Sequence, residues 1–135
     1  MTRINVVSVT ELADQHLMAE YRELPMVFAA ARRSNPAKFK STNVYTLNKG
    51  HVTFFFDKRA YLMNRWVELV EELRNRGFSI NPQDRIVQWK ELDKFPQIHW
   101  QPDDHARCVN LIRLQEKIAQ KPSWYRFRGK PFVTC

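Results

Sequence analysis

The N-terminus is the first place in this sequence where residue types could do chemistry. Thr2 follows Met1, and a small second residue permits removal of the initiator methionine, which would leave a free α-amine on Thr2. An α-amine has a reference pKa of ~7.7–8.0, against ~10.4 for a lysine, and the cations Arg3 and Arg22 would lower it further. Such an amine can form a Schiff base with a carbon electrophile. A frayed, inert N-terminus is the more common situation, so both interpretations stay open.

A carboxylate in the first predicted helix is the second candidate group. Glu23 follows Arg22. A carboxylate in a cation-lined site suits general acid–base catalysis, or the stabilisation of an oxocarbenium-like charge on a sugar. A solvent-facing Arg–Glu pair is far more frequent on helices, and the residues alone do not exclude it.

The positive charge of the chain is concentrated near its C-terminus. The 135 residues include 22 Lys and Arg and 14 Asp and Glu, a net charge of +8, and residues 113–130 alone carry six cations and one acid. Aromatic residues alternate with these cations, a pattern that suits bases stacked on rings and phosphates held by cations. The alternative is an aromatic tail packed on the helices with its cations in solvent. We favour nucleic acid, with candidate contacts Arg113, Lys117, Lys121, Trp124, Tyr125, Arg126 and Lys130.

Other classes of function have little support in the sequence. Two cysteines supply neither a disulfide framework nor a four-ligand zinc site, and His51, His99 and His105 lack metal-binding spacing. Phosphate-binding and dinucleotide-binding fingerprints are absent, as are a signal peptide and a run of ~20 apolar residues. We therefore expect no metal, no cofactor, no membrane and a cytoplasmic, reducing location.

The apolar pattern predicts an all-α fold: a compact single domain, residues 1–135, of about three main helices with long irregular loops. The first helix opens at Thr10 and is kinked by Pro25. It buries a stripe at three- and four-residue steps and leaves Gln15, His16, Arg22 and Glu23 on a polar flank. The buried stripe comprises Ala13, Leu17, Tyr21, Leu24, Phe28 and Ala31.

The later elements are predicted from the same signals. Residues 50–56 form an apolar run typical of a short strand or a buried extended segment. Asp57 caps a second helix that Gly77 ends in a left-handed conformation. A third helix follows Pro102, with Asp103 or Asp104 as its cap, and Pro122 stops it. We expect this third helix to turn Cys108, Leu111, Ile112 and Ile118 inward.

Several segments together resemble a known family. Residues 1–5 and 11–25 are similar to the pyrimidine dimer DNA glycosylases of the phage endonuclease V type. Residues 50–55, 57–58, 76–78 and 116–125 extend the similarity, which is weakest over residues 29–49 and 79–107.

The resemblance implies a helical repair enzyme that acts as a monomer on double-stranded DNA containing ultraviolet lesions. It implies removal of the base at cyclobutane pyrimidine dimers, then strand cleavage, with a base opposite the lesion extruded. The Thr2 amine would be the nucleophile, and Glu23 would stabilise the imine and assist the proton transfers. Arg3, Gln15, His16 and Arg22 would line the site and hold DNA, as would Arg113, Lys117, Trp124 and Tyr125.

One departure keeps alternatives open. The family usually has Arg where this chain has Met26, one helical turn beyond Arg22. The loss of that phosphate contact is compatible with a damaged-DNA-binding protein of weak or absent catalysis. A glycosylase for another base lesion is the remaining alternative.

Overall fold

The computed structural model describes residues 3–85 and 88–131, and within these ranges the chain is mostly helical. The predicted all-α fold is thus confirmed. The α-helices are α1 (Asp14–Glu23), α2 (Met26–Arg32), α3 (His51–Phe54), α4 (Arg59–Asn75) and α5 (Asp104–Gln120). Short 3-10 helices lie at Val9–Glu11, Pro36–Lys38, Phe55–Asp57, Pro82–Asp84 and Trp89–Leu92. Strands β1 (Arg126–Phe127) and β2 (Lys130–Pro131) pair antiparallel in a short hairpin.

The core is one large cluster of apolar side chains between α1, α2, α3 and α4. Helix α1 packs on α4, where the rings of Tyr21 and Trp66 stack with centroids 5.1 Å apart. Helix α2 packs against α3 and the 3-10 helix Trp89–Leu92. No helix in the described ranges is long and apolar enough to cross a membrane.

The first predicted helix starts later than expected and is divided at Pro25. All members of the predicted stripe are buried, and Pro25 separates α1 from α2 as predicted. The predicted start at Thr10 is wrong, because Thr10 belongs to the 3-10 helix Val9–Glu11. Leu12 then takes an extended conformation (ψ 141°), so the α-helical hydrogen bonds begin only at α1.

The prediction of a strand or extended segment at residues 50–56 is wrong. Gly50 turns the chain at φ 87°, and α3 and the 3-10 helix Phe55–Asp57 follow. Phe54, Phe55 and Phe56 are consecutive and all buried, so this part of the run shows no helical period.

Helix α4 ends as predicted but begins differently. Gly77 adopts φ 89°, and the N–H of Phe78 returns to the carbonyl of Leu73, which closes the helix end. Asp57 is not its cap. Instead the Asp57 carboxylate is fully buried, 2.7 Å from Lys58 Nζ and 2.5 Å from Ser41 Oγ.

Helix α5 has the predicted ends but turns a different face inward. The Asp103 side chain accepts from the Ala106 N–H at 2.8 Å, and the helix ends at Gln120, before Pro122. The inward placement of Ile118 is confirmed, but that of Cys108, Leu111 and Ile112 is wrong, since all three are exposed. The buried positions are Ala106, Asn110, Leu114 and Ile118. The helix takes this face because the polar Asn110 is hydrogen-bonded inside the core.

Lys58 provides a test of the fold. Burial lowers the pKa of its ammonium group, which also donates to the carbonyls of Phe54 and Thr42.

Lys58→Met should lower the free energy of unfolding by roughly 3–5 kcal/mol, because Asp57 would keep a buried charge without its cation. Chemical denaturation measures this. Arg107→Ala, which removes an exposed ion pair with Asp104, should cost less than ~1 kcal/mol. Equal losses in the two variants would contradict this account of Lys58.

Candidate active site

Helix α1 separates two clefts on the surface of the molecule. The N-terminal cleft, of about 330 Å³, lies on the side of His16 and Glu23. The aromatic cleft, of about 700 Å³, lies on the side of Gln15 and Arg22. Ala19 lines both. The four residues predicted to share one polar flank are therefore divided between two clefts, and Arg22 and Glu23 open into different ones.

The N-terminal cleft brings cations from distant parts of the chain to the Glu23 carboxylate. Arg3 comes from the N-terminal segment, and Arg113 and Lys117 come from consecutive turns of α5. Burial raises the pKa of Glu23, opposed by the positive charge of Arg3 and by a hydrogen bond from the Arg3 backbone. A carboxyl group with a raised pKa can both accept and return a proton, which suits acid–base catalysis.

His16 is held uncharged in the same cleft. Burial lowers its pKa to about 4, and the charges of Arg3 and Lys117 act in the same direction. Its ring lies against Tyr125, with centroids 4.7 Å apart. His16 therefore contributes hydrogen bonding and ring surface at neutral pH but no positive charge.

Trp124 and Tyr125 are adjacent but differently placed. The side chain of Tyr125 is buried and faces the N-terminal cleft, whereas Trp124 is 54% exposed at the aromatic cleft. Their rings meet edge to face at 4.9 Å, and Lys121 Nζ lies 5.4 Å from the Trp124 ring centroid. Trp124 thus has free ring surface, while Tyr125 forms part of the wall between the clefts.

Gln15 and Asp14 hold the C-terminal tail on α1. Gln15 Nε2 donates to the Trp124 carbonyl at 2.7 Å, and its Oε1 accepts from the N–H of Arg126 at 2.9 Å. The Asp14 carboxylate accepts from the N–H groups of Arg128 and Gly129. The amide of Gln15 is thus engaged by protein backbone. Arg126 and Lys130, on the hairpin that follows, are exposed.

Two further points concern the predicted nucleophile and a metal site. Thr2, the predicted nucleophile, lies outside the described residues. Among those described, no three or more His, Cys, Asp and Glu side chains are grouped as a metal site would require.

Sequence reasoning missed a set of buried polar residues behind the N-terminal cleft. Asn5, Glu20, His51, Arg65 and Asn110 are all buried and hydrogen-bonded. Glu20 and Arg65 fall within predicted helices, where charged residues are usually solvent-facing, and this concealed them. The position of His51 in an apolar run was the one available signal.

The comparison with known protein families agrees with this site. The family model described as pyrimidine dimer DNA glycosylase matches residues 1–86, and the chain belongs to this family. Glycosylase action on pyrimidine dimers in DNA is therefore its general activity. The match includes Arg3, Glu23 and His51, whereas α5 and the hairpin lie beyond it.

Gln15 should act by holding the tail. Gln15→Met removes both hydrogen bonds at similar length, and we expect the Arg126 amide to exchange with solvent roughly 2- to 10-fold faster, as loss of ~0.5–1.5 kcal/mol implies. Hydrogen exchange followed by NMR measures this, with exposed Gln115→Met on α5 as the control. Unchanged exchange at Arg126 would show that Gln15 does not hold the tail.

Proposed function

We propose that the protein is a bifunctional DNA glycosylase and AP lyase whose nucleophile is the α-amine of Thr2, exposed by removal of Met1. The hydrogen bond from the Arg3 backbone to the Glu23 carboxylate is the observation that supports this most directly. The donor is the peptide nitrogen that links Arg3 to Thr2, so a carboxylate lies one residue from the proposed nucleophile. A chain that retained Met1 would carry an amide in place of the amine at the Thr2 nitrogen and would be inactive.

The proposed reaction needs only an amine and a proton carrier. The uncharged amine attacks C1′ of the 5′ nucleotide of the dimer, and the base leaves with the electrons of the glycosidic bond and takes up a proton. The nitrogen loses its proton, the sugar ring opens with protonation of O4′, and an imine joins the nitrogen to C1′. Removal of a proton from C2′ then expels the 3′ phosphate by β-elimination. Glu23 would carry these protons, because it lies beside the N-terminal segment and burial raises its pKa in the direction that favours proton exchange.

The two clefts supply complementary contacts for damaged DNA. Arg3, Arg113 and Lys117 around the N-terminal cleft would bind the phosphates flanking the reacting sugar. The aromatic cleft has room for an extruded base, with Phe78 and Trp124 as apolar surface and Arg22 at its edge. Extrusion opposite a dimer is cheaper than in intact duplex, since pairing there is already weakened.

Met26 supports a second candidate, a damaged-DNA-binding protein with weak catalysis. Its side chain is 52% exposed at the start of α2, where the resemblance expects an arginine. The loss of one phosphate contact would lower the affinity for DNA. It would also make the plot of log affinity against log salt concentration less steep, by about 0.9. The half-buried Glu23 carboxylate and its contact with the Arg3 backbone favour the enzyme.

Borohydride trapping tests the proposed nucleophile. Protein incubated with dimer-containing duplex and borohydride should form a covalent adduct, because reduction fixes the imine as a stable amine. Acetylation confined to the N-terminus should abolish the adduct, because the lone pair of the nitrogen is then delocalised into an amide and cannot form an imine. Gel electrophoresis of the adduct is the measurement.

Lys117 provides the matched control. Among the described residues that line the N-terminal cleft it is the one lysine, and so the competing amine. Lys117→Arg keeps the charge and should keep the adduct. An adduct that survives N-terminal acetylation but is lost in Lys117→Arg would assign the nucleophile to Lys117. Binding without any adduct, after confirmed loss of Met1, would favour the weakly catalytic alternative.

Glu23→Gln tests the proton carrier. The amide fills the same space but cannot accept a proton, so strand cleavage at a dimer should slow by at least ~100-fold while DNA affinity is preserved. Single-turnover cleavage and fluorescence anisotropy measure the two quantities. Cleavage at the wild-type rate would show that Glu23 is not the proton carrier.

A further inference from the structure

Residues 4–7 are buried but belong to no helix or strand, so regular secondary structure does not pair their backbone groups. Side chains from other elements satisfy their backbone groups instead. The Ile4 N–H donates to His51 Nε2 at 2.8 Å, and the Ile4 carbonyl accepts from the Tyr45 hydroxyl at 2.9 Å. The N–H groups of Val6 and Val7 both donate to Asn110 Oδ1, at 2.7 and 3.0 Å.

His51 is locked in one tautomer by its two partners. Its Nδ1 lies 2.8 Å from the Thr46 carbonyl, which can only accept, so Nδ1 carries the proton. Nε2 is then the lone-pair nitrogen and accepts from Ile4. Burial lowers the pKa of His51, which favours the neutral ring that this arrangement requires.

Of the hydrogen bonds that hold residues 4–7, the one from the Ile4 N–H to His51 lies nearest the N-terminus, and it adds to the contact between the Arg3 backbone and Glu23. Beyond Ile4 only two residues separate the anchor from the Thr2 nitrogen, a reach of at most ~7 Å. An amine on so short a tether samples a small volume once the tether is anchored, whereas loss of the Ile4 hydrogen bond would leave the tether held less firmly. Misplacement of a reacting group by ~1 Å can reduce a rate ~100-fold.

We propose that His51 is a positioning residue for the N-terminal amine, assisted by Tyr45, and that it acts by fixing the backbone of Ile4 behind the N-terminal cleft. This inference rests on the proposed function. It assigns to a buried histidine a role in the rate of imine formation rather than in DNA binding. A role confined to core stability would leave the rate of the folded, DNA-bound protein unchanged.

The test compares His51→Leu with His51→Gln. Leucine cannot accept from Ile4, whereas the glutamine side-chain oxygen can replace Nε2 as the acceptor. With dimer-containing duplex at saturation, His51→Leu should trap the adduct roughly 10- to 100-fold more slowly than wild type, at similar DNA affinity. His51→Gln should recover most of the rate. Equal loss in both folded variants, or wild-type rates in His51→Leu, would overturn the role of the Ile4 hydrogen bond.

Tyr45→Phe decides the matter if His51→Leu does not fold. It removes only the hydroxyl that donates to the Ile4 carbonyl. We expect slower trapping of the adduct at unchanged affinity for DNA. A wild-type trapping rate in Tyr45→Phe would then overturn the proposal. Ser34→Ala, which removes a hydrogen bond to the Ala30 carbonyl at the end of α2, is the control and should trap like wild type. If wild-type protein itself traps no adduct, the proposed function fails, and not merely this inference.

Discussion

The buried ion pair between Glu20 of α1 and Arg65 of α4 is the interaction on which the rest of the site depends. Its two contacts, 2.6 and 2.9 Å, join the carboxylate and guanidinium in the side-by-side geometry that offsets the desolvation of buried charges. Both groups have further partners, since Glu20 accepts from the Asn5 amide and Arg65 donates to the Val7 carbonyl. The pair thus ties two helices and the N-terminal segment together at one point.

This arrangement makes both ends of the chain converge on α1. The N-terminal segment passes one side of the helix and brings Arg3 beside Glu23. The C-terminal tail is held on the other side by Gln15, more than a hundred residues away in sequence. Arg3 of the N-terminal segment and Arg113 and Lys117 of α5 line one cleft with Glu23, and the described residues contain no metal-like cluster. Positive charge gathered in a cleft attracts a polyanion and raises its local concentration.

The sequence predicted the local features well and the long-range ones poorly. The buried stripe of the first predicted helix and the left-handed Gly77 follow from spacing and backbone sterics, and both are confirmed; at Pro25, where a kink was predicted, the chain divides into α1 and α2. The inward face of α5 was predicted wrongly, because its decisive residue, Asn110, is polar and its partners lie over a hundred residues away. His51 was considered only as a metal ligand and set aside for lack of spacing, and its hydrogen bonds were missed, because contacts across the fold leave no periodic pattern.

Mass mapping of the borohydride-reduced protein–DNA adduct tests the central claim most directly. After nuclease and protease digestion, the account predicts a deoxyribose remnant on the α-nitrogen of Thr2, in a peptide that lacks Met1. A remnant on a lysine of the N-terminal cleft would contradict it. So would cleavage-competent protein whose N-terminal peptide still begins with Met1.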